Sequence, residues 1–99
     1  GLRDRVAADM LAVFETGVRY HLIHALGVLA VSWAASRWPS AWVSAAGWLF
    51  IAGILLFSGS LYLLAITGTR WLGAITPVGG VCFLIGWAAL ATGALRGTP

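Results

Sequence analysis

The chain has very few charged residues: they make up 9% of its 99 residues. Soluble domains carry about 25%, so this scarcity excludes an ordinary soluble globule and a charged disordered tail. Lysine is absent, and the basic residues are arginines scattered singly between apolar runs. A nucleic-acid-binding protein would instead cluster them on one surface. We therefore expect no nucleic-acid partner.

Cysteine and acidic residues are also scarce. Cys82 stands alone, so it can form no disulfide within the chain. The acidic residues are Asp4, Asp9 and Glu15, and no carboxylate side chain follows them. A catalytic triad needs a histidine held by an acid, and a zinc site needs more ligands than two histidines. The sequence therefore predicts no enzyme activity, no catalytic residue, no metal and no cofactor.

Hydrophobic residues make up 61% of the chain and lie in long runs. About 20 apolar residues cross the hydrocarbon of a bilayer. Charge-free runs predict span B at 41–67 and span C at 71–95, and a less apolar run predicts span A at 17–36. Residues 1–16 have an amphipathic helical pattern, so they either lie in the interface or continue into span A. The sequence predicts an all-α, polytopic transmembrane helical bundle, a single domain over 1–99.

Small residues recur every seven positions on spans B and C. Helices in lipid associate where small residues let their backbones approach closely. We expect the stripes to pack against each other within the chain, and a stripe left facing outward to contact another subunit. The predicted helix-packing residues are Gly53, Gly59, Ser60, Gly79, Gly86 and Gly93.

A group of ionisable and polar side chains lies where the N-terminal segment meets span A. Such side chains in a span are functional candidates by default. His21 and His24 share a helix face, but the other spans offer no further histidine or acid as a metal ligand. The alternative is that both histidines bond to Ser, Thr or carbonyl groups of span B or C. Trp87 and the other tryptophans are interpreted as interfacial anchors. The candidate polar cluster consists of Glu15, Arg19, Tyr20, His21 and His24.

Several separate motifs resemble those of one known family. They are 14–26 (FETGVRYHLIHAL), 47–50 (GWLF), 53–62 (GILLFSGSLY), 71–80 (WLGAITPVGG) and 86–87 (GW). In this order they are similar to the domain-of-unknown-function 423 family, which includes small bacterial inner-membrane proteins and transmembrane protein 256-like proteins. The resemblance implies a four-span protein of the bacterial inner membrane, whose first span is missing from this sequence. It implies an architecture rather than an activity.

Three functions remain open from the sequence. The leading one is a non-enzymatic accessory or scaffold subunit that acts by helix packing, with itself or with a larger membrane complex. The second is a small oligomeric transporter or channel, in which Tyr20, His21, His24 and Tyr62 line a shared cavity. The third is a protein that binds a lipid or quinone in a Trp-lined groove. The expected partners are membrane lipids and either further copies or other membrane subunits.

Overall fold

The structure, a computed structural model, describes residues 1–97, and within them every regular element is helical. The all-α membrane bundle expected from the sequence is confirmed. The elements are α1 (Leu2–Arg37), α2 (Ala41–Gly53), a π-helical segment (Ile54–Ser58), α3 (Gly59–Thr67), a 3₁₀ segment (Arg70–Ala74) and α4 (Thr76–Gly97). The N-terminal segment continues into the predicted span A as one helix of 36 residues, which is about 54 Å long.

Local chemistry accounts for the two connections. Pro39 lacks an N–H group and follows the end of α1. The Ser40 hydroxyl then caps α2 by accepting a hydrogen bond from the Val43 N–H at 3.3 Å. At the other end of the bundle, Gly68 adopts φ 69°, a left-handed conformation that favours glycine. Its N–H donates to the Leu64 carbonyl oxygen at 2.8 Å, which closes α3.

Two helical stretches are long and apolar enough to cross a membrane: Ala41–Thr67 and Arg70–Gly97. The first joins α2, the π segment and α3 into a single rod of 27 residues, called the central helix below. Among residues 1–97, α1 does not meet this requirement of length and apolar composition for a membrane span. Tyr20, His21 and His24 interrupt its apolar stretch. Span A at 17–36 therefore stays a prediction.

The central helix lies between α1 and α4 and runs antiparallel to both. Its Phe50 contacts α1 at Gly27 and α4 at Gly86. In contrast, α1 and α4 meet each other directly at few positions. This arrangement leaves a groove between α1 and α4, on the face away from the central helix.

Small side chains fill much of the interior, and many large apolar ones point outward. Ala34 and Ala46 are buried, as are the glycines at the helix contacts, whereas Leu22, Leu84 and Trp48 are more than 60% exposed. In water such a surface would be costly. In lipid no hydrophobic force drives helices together, so close contact between small residues holds the bundle.

The glycines of α4 lie against the central helix and form a contact that we call the glycine seam. A Cβ atom on Gly79 would stand 2.8 Å from the Phe57 Cα and still closer to the Phe57 backbone nitrogen, so no side chain fits there. A Cβ on Gly86 would meet the ring of Phe50 at 2.8 Å, and one on Gly93 would meet Val43 at 2.6 Å.

The predicted packing residues on the central helix behave in two ways. Gly53 is buried, and a Cβ there would meet the Phe83 ring at 2.5 Å. Ser60 is also buried, and its Oγ lies 2.6 Å from the Thr76 Oγ1 on α4. Gly59 makes no such contact within the chain, because no atom lies within 4 Å of a Cβ built there. Its role in packing against another subunit therefore stays a prediction. Its stripe faces away from both neighbouring helices, whereas the stripe of Gly53 and Ser60 faces α4.

Candidate functional site

The structure distributes the five candidate polar residues over three places instead of one cluster. Glu15 and Arg19 lie on the exposed outer side of α1. They line a shallow apolar groove with Leu11, Phe14 and Val18. Within residues 1–97 no hydrogen bond or ion pair joins Glu15 to Arg19 or to either histidine. The two charged residues therefore do not share a site with the imidazoles.

His21 lies on the side of α1 that meets α3. Its Nδ1 is 2.9 Å from the Tyr62 hydroxyl oxygen, and the pair is exposed. The Tyr62 ring also contacts Phe14, with ring centroids 5.3 Å apart. The sequence interpretation expected a serine, threonine or carbonyl partner, whereas the partner is a tyrosine. His21 thus helps to fasten the start of span A to the end of the central helix.

His24 is the buried member of the group, with 4% of its surface exposed. Its Nδ1 lies 2.8 Å from the Tyr20 carbonyl oxygen, and the Trp87 indole N–H donates to its Nε2 at 3.0 Å. A carbonyl can only accept and an indole N–H can only donate. Nδ1 therefore carries the proton and Nε2 is the acceptor, which is a neutral imidazole. Both nitrogens are occupied, so neither is free to bind a metal or to relay a proton in this conformation.

Aromatic rings surround the His24 imidazole. The Phe83 ring stacks on it with centroids 3.5 Å apart and an interplanar angle of 10°. Phe50 approaches at 5.5 Å with an angle of 70°. These rings exclude water from the imidazole and leave its two hydrogen bonds as the only polar contacts it makes within residues 1–97. The arrangement fixes the ring, and with it the spacing of α1, the central helix and α4.

Tyr20 faces the part of the groove between α1 and α4 that is nearer the start of α4. This part has a volume of about 450 Å³, and Phe57, Leu84 and Trp87 line it. Among the described residues the Tyr20 hydroxyl makes no hydrogen bond, and its ring packs on Phe57 with centroids 4.6 Å apart. The groove is open to the outside and mostly apolar, and it does not enclose a ligand on all sides.

Two serines of the central helix connect it to both neighbours. The Ser58 hydroxyl, fully buried, donates to the Gly17 carbonyl oxygen of α1 at 2.8 Å. Ser60 reaches Thr76 of α4, as described above. The π-helical segment ends at Ser58, where the backbone of Phe57 also touches α4. The central helix therefore contacts both of its neighbours at this wider turn.

Trp87 is the residue that the sequence interpretation missed, because it was interpreted as an interfacial anchor. Its ring also contacts Phe50, with centroids 4.6 Å apart. The sequence carried no clear signal for this contact, because Trp87 lies 9 residues before Arg96 (96 − 87) whereas His24 lies 13 residues before Arg37 (37 − 24). Within residues 1–97 the structure holds no group of three or more His, Cys, Asp or Glu side chains that could bind a metal.

Comparison with known proteins places the chain in a family. The sequence profile described as "Protein of unknown function (DUF423)" matches residues 1–80. The UPF0382 membrane protein YwdK of Bacillus subtilis is 46% identical over 97 residues, which are 97% of this chain and 79% of that protein. The UPF0382 inner membrane protein YgdD of Escherichia coli is 43% identical over 95 residues, which are 96% and 72% of the two chains. No solved structure matches. The chain is therefore a membrane protein that belongs to the DUF423 family.

Proposed function

We propose that the protein is a non-enzymatic accessory or scaffold subunit of the bacterial inner membrane, which acts by packing its helices against further copies or a larger membrane complex. The observation that carries this proposal is the environment of His24. His24 borders the groove that Tyr20 faces, but a transporter that binds a proton or cation at this imidazole would need a free nitrogen. A catalytic triad would need an acid beside it. Instead, both nitrogens bond within the chain: Nδ1 to the Tyr20 carbonyl of α1 itself, and Nε2 to the Trp87 indole of α4, which joins the two helices.

The location in the inner membrane rests on two supports. A relative from Escherichia coli that is 43% identical is named an inner membrane protein. Two helical stretches have the length and apolar composition that a bilayer requires.

One surface of the central helix is suited to a second helix. Ala45 is exposed, and Ala52 and Gly59 are half-buried, at spacings of seven residues. The space beside Gly59 is open. Because small residues permit close backbone approach in lipid, we assign the contact with another subunit to this face.

Native mass spectrometry of the protein, extracted gently from its own host membrane, tests the proposal. We expect a stoichiometric complex, either with a different membrane subunit or with a fixed number of copies. A monomer that carries only a bound small molecule would contradict it. Flux that disappears in the His21→Ala, His24→Ala double variant while assembly is intact would also contradict it, because it would assign transport to these residues.

A pair of glycine variants tests the surface. Gly59→Leu should abolish the complex and keep the helical content, because the leucine occupies the space a partner helix needs. Gly73→Leu is the matched control, since a Cβ there also meets no atom within 4 Å but lies outside this stripe. Equal retention of the complex by both variants would refute the assignment of the contact to Gly59.

A further inference from the structure

One end of the bundle carries two arginines and no acidic side chain. Arg37 is the last residue of α1, and Arg96 lies in the last turn of α4. The acidic side chains of the chain all lie in the first half of α1, at or beyond the other end. The two guanidinium groups therefore have no carboxylate side chain with which to pair.

Both arginines line one pocket of about 330 Å³ at this end. Trp38, Ser40 and Trp42 contribute to its wall. Ser40 is the N-cap of α2, so the positive end of the α2 dipole also faces this region. The C-termini of α1 and α4 lie at the same end and oppose this dipole, so the two full charges of the arginines are what favour an anion in the pocket.

An indole ring lies within cation–π distance of each guanidinium group. The Arg37 Cζ lies 5.8 Å from the centroid of the Trp33 ring, and the Arg96 Cζ lies 5.7 Å from that of Trp42. Stacking on an indole leaves the edge of the guanidinium free to donate hydrogen bonds. That edge matches two oxygens of a phosphate group, which is the geometry that arginine binds best.

An apolar groove begins where the pocket ends. It is the part of the groove between α1 and α4 that lies nearer the C-terminal ends of both helices. It has a volume of about 280 Å³ and extends from Trp38 to Trp87. Trp38 lines both the pocket and the groove. Ala30, Leu90 and Ala91 form other parts of its wall. From Arg96 to Trp87 the helix rises about 13 Å, a depth that suits part of an acyl chain.

We propose that the pocket binds the phosphate of an anionic phospholipid and that the apolar groove holds an acyl chain of the same molecule. The charges favour a phosphate, and the adjoining groove favours a lipid over free phosphate. The site lies at the end of the two candidate spans, flanked by the tryptophans that are typical of the membrane interface. This site is independent of the proposed subunit function, since it needs no second protein.

Binding of phosphatidylglycerol to the whole protein in detergent, followed by native mass spectrometry, tests the head-group site. Arg37→Gln and Arg96→Gln should each weaken binding about tenfold, because each removes charge-assisted hydrogen bonds. Arg70→Gln, at the opposite end of the bundle, loses the same charge and should bind as the unchanged protein does. Should Arg37→Gln misfold, Arg37→Lys keeps the charge and loses the planar fork, and we expect a smaller loss of binding.

The groove has its own pair of variants. Ala91→Phe should fill the groove and weaken lipid binding with no change in charge. Ala74→Phe, at an exposed position that lines neither the groove nor the pocket, should have no effect. Circular dichroism of every variant separates lost binding from lost folding.

Several results would overturn the proposal. Equal losses in Arg70→Gln and Arg96→Gln would indicate general attraction of anionic lipid to a basic protein. Unchanged binding in both Arg37→Gln and Arg96→Gln would remove the head-group site. Equal binding of phosphatidylcholine would contradict the preference for an anionic lipid. Full displacement of the lipid by millimolar inorganic phosphate would assign the pocket to the free ion.

Discussion

The two faces that α4 presents to its neighbours are built on different principles. Toward the central helix it carries glycines at intervals of seven, and the backbone at Gly79 touches that of Phe57. Toward α1 it carries Trp87, whose indole reaches the buried His24. The first contact is close and free of polar side chains along most of its length. The second is wide, depends on one hydrogen bond and leaves a groove on either side of that bond. The comparison indicates that small residues allow two helices to pack closely. A large aromatic residue such as Trp87 keeps α4 and α1 further apart, so that a groove remains between them.

The largest expected effect comes from the tightest point of the glycine seam. Gly79→Ala should lower the free energy of unfolding in detergent by about 3 kcal/mol, because its Cβ would overlap backbone atoms of Phe57 that cannot rotate away. Gly80→Ala is the control, since a Cβ there meets the Phe57 ring at an ordinary 3.9 Å. Equal stability of the two variants would contradict the account of the seam.

The contact between α1 and α4 should depend on the His24 acceptor. His24→Phe keeps an aromatic ring but leaves the Trp87 N–H without its partner, at an expected cost of about 2 kcal/mol in unfolding free energy. Trp87→Phe in the same protein removes the unpaired donor and should restore part of the loss. A double-mutant cycle should give a coupling energy of about 1 kcal/mol. Strict additivity would mean that the hydrogen bond contributes nothing to stability.

A smaller effect is expected at the polar contact between α1 and the central helix. Ser58→Ala removes the hydrogen bond to the Gly17 carbonyl oxygen. Such bonds between membrane helices contribute about 0.6 kcal/mol on average, and we expect a loss of that size in unfolding free energy. Ser44→Ala is the control, because Ser44 is exposed. A loss several times larger would indicate that the π-helical segment itself depends on Ser58.

The smallest effect is expected in the groove. Tyr20→Phe removes a hydroxyl that makes no hydrogen bond within residues 1–97, so the unfolding free energy should change by less than about 0.5 kcal/mol. Assembly of the protein in its host membrane should also be unchanged. Loss of a cellular phenotype at normal stability and assembly would identify the hydroxyl as part of a binding site that packing does not explain.

The sequence predicts well those features that depend on local patterns. The stripe of Gly79, Gly86 and Gly93 could be read from spacing alone, because small residues at intervals of seven fall on one helix face. The connection after Thr67 was also readable, since Gly68 next to it is suited to a left-handed turn. In both places a few neighbouring residues determine the structure.

The sequence predicts poorly what depends on the relative depth of two helices. The bond from Trp87 to His24 joins residues 63 positions apart, and either side chain has an ordinary alternative role. The π-helical segment has no local signal, because Ile54 to Phe57 are apolar residues that a regular helix accepts equally well. Gly59 shows the same limit: its spacing predicts that it packs against a helix, but not whether that helix lies within the chain or in another subunit.

The state of the His24 ring tests the central claim most directly, which is that the polar side chains of the bundle serve packing and not transport or catalysis. Nitrogen-15 NMR of the protein in bilayers, with labelled histidine and tryptophan, measures it. We expect one neutral tautomer with the proton on Nδ1, and a coupling through the hydrogen bond from the Trp87 indole N–H to Nε2. A proton on Nε2, or exchange between the two tautomers, would contradict the claim, because it would show a nitrogen that is free to carry protons.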